Sequence, residues 1–135
     1  MIISKSVADT HNIAKKILKK LKKGDIVFLN GDLGAGKTEM VKGFIKALGG
    51  SVDDVQSPTY LSALSYSIPD SFVVHVDFYK YKKNKSFLQS FIMEYLEQDP
   101  YLIFVEWGSD ISNGFIEINI DESNGERHIC LKDER

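Results

Sequence analysis

One cysteine, Cys130, stands among the 135 residues. A single thiol closes no internal disulfide and builds no cysteine-based zinc site, and such sparing use suits a reducing compartment. Arginine is almost as scarce: apart from the final residue, Arg135, there is only Arg127. The formal net charge is −2 and the isoelectric point about 5.9, so there is no general basic field with which to hold nucleic acid, although a local patch is compatible with those values. Long apolar runs are missing too. Nothing approaches the roughly 20 residues needed to span a bilayer, and Met1-Ile2-Ile3 is too short to be a secretory signal. A cytoplasmic protein with no membrane association is expected. The chain shows no internal repeat, low-complexity segment or linker, and its length suits one domain over residues 1–135.

What is present is a loop of unusual definition. Gly31-Asp32-Leu33-Gly34-Ala35-Gly36-Lys37-Thr38 spells the full phosphate-binding P-loop. The apolar run Ile26-Val27-Phe28-Leu29 before it reads as a buried parallel strand, and the residues after Lys37 fall into helical spacing. In such a loop the glycines at 31, 34 and 36 let the backbone turn tightly, so that several N–H groups converge on phosphate oxygens at a helix start. Lys37 is expected to reach the β- and γ-phosphates, and the Thr38 hydroxyl to bind Mg²⁺. A chance glycine loop would seldom match four fixed positions in so short a chain.

Around this loop the pattern alternates between helix and strand. Ile13, Ala14, Ile17, Leu18 and Leu21 form one apolar face of a first helix, capped by Asp9 or Thr10 and stopped by Gly24. Its six lysines, at 15, 16, 19, 20, 22 and 23, read as a solvated face in preference to an RNA or partner patch. Met40, Val41, Phe44, Ile45 and Leu48 form the core side of the helix after the loop, which Gly49-Gly50 end. Leu64, Tyr66 and Ile68 predict a half-buried strand, and Phe72 to Asp77 a buried one; Phe87 to Leu96 predict a third helix, and Leu102 to Glu106 another buried strand. Alternation at Ile116, Ile118 and Ile120, followed by Ser123-Asn124-Gly125 and then Arg127 to Leu131, predicts an antiparallel carboxyl-terminal hairpin. The fold class is therefore α/β and P-loop NTPase-like: a mainly parallel sheet flanked by helices, with antiparallel strands at the edge.

Two of the predicted strands end in acids. Glu106 closes an apolar run, where a carboxylate should hold Mg²⁺ directly or through water, and Asp77 ends the neighbouring candidate strand. A capping or surface acid is the alternative reading for each. His75 lies among valines, as a hydrogen-bonded core or wall histidine in preference to a general base, and Thr59 reads equally as a γ-phosphate switch residue or a plain turn hydroxyl.

Taken in order, GDLGAGKT from Gly31 to Thr38, Ser57-Pro58-Thr59-Tyr60, His75-Val76-Asp77-Phe78-Tyr79-Lys80 and Glu106-Trp107-Gly108 resemble the TsaE (YjeE) family over nearly the whole chain. That family is the small P-loop ATPase of bacterial tRNA threonylcarbamoyladenosine synthesis. The resemblance implies ATP with Mg²⁺ and weak intrinsic hydrolysis. It also implies association with the threonylcarbamoyl transferase subunit and its non-catalytic paralogous partner, TsaD and TsaB, which modify A37 of tRNAs reading ANN codons; the sequence leaves open whether tRNA touches this subunit directly or only through those partners. It assigns phosphate contacts to Gly31, Asp32, Leu33, Gly34, Ala35, Gly36 and Lys37, and the metal to Thr38 and Glu106. Thr59 becomes the γ-phosphate switch, Asp77 orients water or the metal shell, Thr10 lies near the adenine edge, and Trp107 lines the site. Lys37, Asp77 and Glu106 form the catalytic set. The chain departs from the family pattern at Glu39, where a second Thr is usual, at Lys80, which cannot reproduce a bidentate arginine contact, and at Gly108-Ser109. These departures bear on hydrolysis rate and partner contacts.

A small-molecule kinase shares the loop and the acids, but it needs arginines or lysines to clamp the transferred phosphoryl group. Here only Lys80 to Lys85 offer a substitute for arginine. A GTPase would carry an Asn-Lys-x-Asp or Asp-x-x-Gly motif, and neither is present. A nucleotide-gated binding module remains a milder form of the ATPase reading.

Overall fold

The computed structural model describes residues 1–32, 35–56, 63–79, 84–107 and 115–135. In chain order its elements are strand β1 (Ile2–Ser4), helix α1 (Val7–Leu18), β2 (Asp25–Asn30), α2 (Lys37–Ala47), a short 3-10 turn (Val52–Asp54), β3 (Ala63–Ile68), β4 (Ser71–Asp77), α3 (Lys85–Glu97), β5 (Leu102–Glu106), β6 (Phe115–Ser123) and β7 (Glu126–Asp133). The strands form one sheet in the order β1-β7-β6-β2-β5-β4-β3. Its centre, β6-β2-β5-β4, is parallel, while β3 on one side and β7 and β1 on the other run antiparallel to their neighbours. This is the α/β, P-loop NTPase-like arrangement expected.

Side-chain alternation along the strands divides the core in two. Val27 and Leu29 of β2, Val73 of β4, Leu102 and Phe104 of β5 and Ile116, Ile118 and Ile120 of β6 face α1 and α2. Ile26, Phe28, Val74, Val76, Ile103 and Val105 face the opposite way, against Leu88 and Ile92 of α3. Residues 26–29 of β2 and 102–105 of β5 are continuously apolar because both faces of these strands are covered. β6 alternates for a different reason than a purely antiparallel tail would suggest. It pairs in parallel with β2 as well as antiparallel with β7, and only its isoleucine face is fully packed. The carboxyl-terminal segment therefore belongs to the body of the sheet. Its hairpin turns at Asn124 and Gly125, both with positive φ, as a tight two-residue turn requires.

Two expectations are corrected in detail, and one strand is added. The cap of α1 is Ser6, whose hydroxyl accepts the Asp9 N–H at 3.0 Å. Asp9 instead sits in the first turn, and Thr10 lies within the helix. α1 ends at Leu18, six residues before Gly24, yet Leu21 still reaches the core. Strand β1, unrecognised in the sequence, pairs Ile2, Ile3 and Ser4 with β7. By contrast α2 ends as predicted. Gly50 N–H reaches Ile45 O at 2.9 Å and Gly49 N–H reaches Lys46 O at 3.1 Å, with Gly49 at φ +88°, which together make a Schellman closure. The lysines of α1 are exposed, as a solvated face requires.

Helices α1 and α2 pack closely through Gly43. A Cβ built there would lie 2.7 Å from Ala14 Cβ and 2.9 Å from His11 Cα. Gly43→Ala should therefore lower stability by about 1–2 kcal/mol, because overpacking outweighs the roughly 1 kcal/mol that alanine gains in a helix. Urea unfolding measures this directly, and an unchanged or raised midpoint would mean that α1 yields freely.

Candidate functional site

The strand register explains which acids meet. β2, β5 and β4 end side by side, with Leu29 opposite Glu106 and Glu106 opposite Asp77. By the two-residue period, His75, Asp77 and Glu106 all project to the α2 face of the sheet, the face of Val73 and Phe104. His75 is therefore a diagonal neighbour of Glu106. Lys37 opens α2 directly above them.

Lys37 and Glu106 are both buried, with 9% and 4% of their surface exposed. The Lys37 ammonium donates to Gly31 O at 2.8 Å, lies 3.4 Å from Glu106 Oε1, and sits 4.9 Å from the centre of the Trp107 ring. The other carboxylate oxygen, Oε2, is 2.6 Å from His75 Nε2. His75 is fully buried, and its Nδ1 lies 3.1 Å from the Tyr66 hydroxyl. Burial works against ionisation of Glu106, but the His75 hydrogen bond and charge and the Lys37 ammonium outweigh it and hold the carboxyl below its ordinary range. Asp77 moves the opposite way. Burial is the main cause, the Glu106 carboxylate adds to it, and the Tyr79 N–H that Asp77 Oδ1 accepts at 2.8 Å only partly offsets them.

The loop glycines serve packing as much as ligand approach. A Cβ on Gly31 would fall 2.6 Å from Ile120 O, so this glycine lets β6 close against the loop. Gly36 has φ +107°, and a Cβ there would meet Arg127 Nε at 3.1 Å. Asp32 is exposed, and its carbonyl accepts the N–H of buried Ala35 at 3.0 Å. Thr38 is the second residue of α2 and half-buried. Leu33, Gly34 and Thr59 lie outside the described residues, as do Ser57-Pro58, Tyr60, Lys80 and Gly108-Ser109. Thr10 is buried on α1 with its hydroxyl 2.7 Å from Ser4 Oγ; its neighbour His11 reaches the first turn of α2, 3.0 Å from Glu39. Trp107 follows β5 with φ +65°, an uncommon conformation for a bulky residue, and packs edge-on to Tyr79 at 5.2 Å.

This arrangement suits a phosphate chain with a hard cation. Gly36, the residue before α2, has no side chain with which to cap it; helix geometry turns the first N–H groups toward the loop, and the P-loop lysine stands beside them. Thr38 and Glu106 supply hydroxyl and carboxylate oxygens, the donor set Mg²⁺ prefers. Among the described residues no three His, Cys, Asp or Glu side chains converge into a metal cage, and a Mg²⁺ shared with ligand phosphates requires none. Sequence inspection missed the bonded trio of His75, Tyr66 and Glu106, although strand parity alone places His75 on the acidic face. It also missed Arg127 against Gly36, a contact across the sheet that no local pattern encodes.

A strand-loop-helix with a buried lysine and carboxylate at the carboxyl ends of parallel strands defines an α/β protein of P-loop NTPase-like fold. The solved Bacillus subtilis YdiB shares this fold with a TM-score of 0.73 at 24% identity, over 99% of this chain and 84% of that one. The family model described as "Threonylcarbamoyl adenosine biosynthesis protein TsaE" matches residues 4–129. Proteins named "tRNA threonylcarbamoyladenosine biosynthesis protein TsaE" from Rickettsia typhi and Haemophilus influenzae are each 33% identical to it. These matches cover 93% of this chain and 88% of the first relative, and 86% of this chain and 76% of the second. The chain belongs to the TsaE family.

The upward shift of Asp77 has a consequence for stability. A raised folded-state pKa means that the ionised form is the disfavoured one, so its cost is present at neutral pH and vanishes below the ordinary aspartate range. Asp77→Asn should stabilise the fold at pH 7 by under about 1 kcal/mol, since the group is half-exposed and screened. The gain should fade under acid; urea titrations at both pH values check it, and equal gains at both would contradict the burial cause.

Proposed function

We propose that the chain is a Mg²⁺-dependent ATP-binding and slowly hydrolysing subunit required for threonylcarbamoyl modification of adenosine 37 in tRNA. It works in the cytoplasm, on the transferase subunit and its non-catalytic paralogous partner, TsaD and TsaB, through its nucleotide cycle. The observation that carries this reading is the convergence of Lys37, Glu106 and the start of α2 at one end of the parallel sheet. Family membership supplies the pathway.

Bound ATP would supply the phosphoanhydride, and Mg²⁺ the neutralising charge on its phosphates. Lys37 would exchange its contact with Glu106 Oε1 for phosphate oxygens, while Gly31 O continues to orient its ammonium. Thr38 and Glu106 would hold the cation. Asp77, half-exposed on the same face and shifted toward its protonated form, would orient a water or take its proton. Trp107 would line the site beside Lys37.

Lys37→Ala should weaken ATP binding by roughly 10- to 100-fold, the worth of a charge-assisted hydrogen bond. Calorimetry tests this, and unchanged affinity would sink the P-loop assignment. Hydrolysis by the isolated chain should be slow and rise when the transferase pair and tRNA are added. No rise on mixing would point to a phosphoryl-transfer enzyme outside this pathway.

A further inference from the structure

His75 has no part in holding phosphate, yet it makes the shortest polar contact to the site's buried carboxylate, 2.6 Å from Glu106 Oε2. An ionised carboxylate only accepts, so Nε2 carries a proton and donates it. On the other side of the ring Nδ1 faces the Tyr66 hydroxyl at 3.1 Å. The Tyr66 oxygen also receives the Gln56 N–H at 3.2 Å and lies 3.0 Å from Gln56 O; its one proton serves either Gln56 O or Nδ1, and Nε2 keeps its own proton in both cases. The ring is thereby pinned at both nitrogens and buried on all sides, with no freedom to rotate away from Glu106. Glu106 Oε1, by contrast, has a looser 3.4 Å contact with Lys37.

We propose that His75 is a positioning residue that divides the two oxygens of Glu106, locking Oε2 from behind so that Oε1 alone is exchangeable between Lys37 and a divalent cation. The proposal rests on the nucleotide reading above. It places a tyrosine-histidine-carboxylate chain across β3, β4 and β5, in which Tyr66 and the Gln56 backbone fix the imidazole and the imidazole fixes the acid. A bond of this kind at the second nitrogen holds the ring, and with it the aim of the Nε2 donor on the carboxylate it supports. A histidine that merely filled the core would be indifferent to which atom faced Glu106; this one depends on a donor at the ε position.

The test uses the full chain and its single tryptophan, Trp107, 4.9 Å from Lys37 Nζ, as a fluorescent reporter of ATP binding with and without Mg²⁺. His75→Leu keeps bulk and removes the donor; His75→Asn keeps a polar group only at the δ position; His75→Gln carries an N–H donor to the ε position. Leu and Asn variants should bind metal-free ATP within about twofold of the parent, but lose the Mg²⁺-dependent tightening by about 10-fold or more, as loss of a support behind a metal ligand does. The Gln variant should recover most of it. A folded Leu or Asn variant with the parent's Mg²⁺ gain, or a Gln variant as impaired as Leu, overturns the proposal. Nitrogen-15 shifts of His75 in the parent give a readout that survives misfolding of any variant. A ring protonated at Nε2 is expected, and one protonated only at Nδ1 overturns the assignment. A parent with no Mg²⁺-dependent ATP binding refutes the nucleotide reading instead, and leaves the tautomer measurement to judge the His75–Glu106 bond separately.

Discussion

The buried carboxylate of Glu106 is the constraint on which this site is built. An ionised acid in the interior is tolerated only when its oxygens are paired, and removing one partner of such a pair costs about 3–5 kcal/mol. Glu106 meets that demand with two partners of different kinds, an imidazole from β4 behind it and the ammonium of α2 in front. Both come from the strand register. Parallel pairing of β4 and β5 sets Asp77 opposite Glu106, and the two-residue period then delivers His75 to the same face. Pairing of β5 with β2 ends the strand before the P-loop at the same level, so that the first residue of α2 lands above the acid. A one-residue slip at either pairing would turn Glu106 or His75 to the α3 face and leave the other charged groups without partners.

A second constraint comes from the carboxyl-terminal half. Gly31 closes against the Ile120 carbonyl of β6, and Gly36 lies under the Arg127 side chain of β7. Arg127 is in turn 3.5 Å from Glu122 across the hairpin. Gly31 and Gly36 are therefore buttressed laterally by β6 and β7, and the two glycines are needed as much for this close approach as for any turn. The hairpin that the sequence pattern set at the sheet edge thus reaches both Gly31 and Gly36.

Much of this was legible before the fold was known, and the boundary is physical. The helix beginning at Lys37, the buried runs ending at Asp77 and Glu106 and the closure of α2 by Gly49-Gly50 are local signals, and each stands where expected. The hairpin turn at Asn124-Gly125 was equally plain. The role of β6 was not, because alternation records which face is covered and says nothing of strand direction. β1 escaped notice because three residues carry no periodicity and the strand exists only through its pairing with β7. The cap of α1 was misplaced because Ser6, Asp9 and Thr10 are all suitable capping types, and the choice is made by Ser4 and β1, which draw the Thr10 hydroxyl into a buried bond. His75 was correctly expected to be a bonded core histidine; its partner was not, since a diagonal cross-strand contact requires the register.

Glu39 bears on the charge of the site as well as on its packing. An acid in the first turn of α2 gains from the helix dipole but stands next to the end of the helix that suits an anion. Left alone, its charge would oppose phosphate there. It is not alone: His11 of α1 lies 3.0 Å from one oxygen and Lys42 lies 3.3 Å from the other. Burial works against its ionisation, yet these two partners prevail and keep the carboxyl below its ordinary range. The negative charge is thus matched by Lys42 whatever the protonation of His11, so little uncompensated field reaches the loop. What Glu39 adds is mechanical: it ties α1 to the turn that begins with Lys37, beside the close α1–α2 contact at Gly43. Glu39 therefore joins α1 to the first turn of α2 while its charge is matched locally.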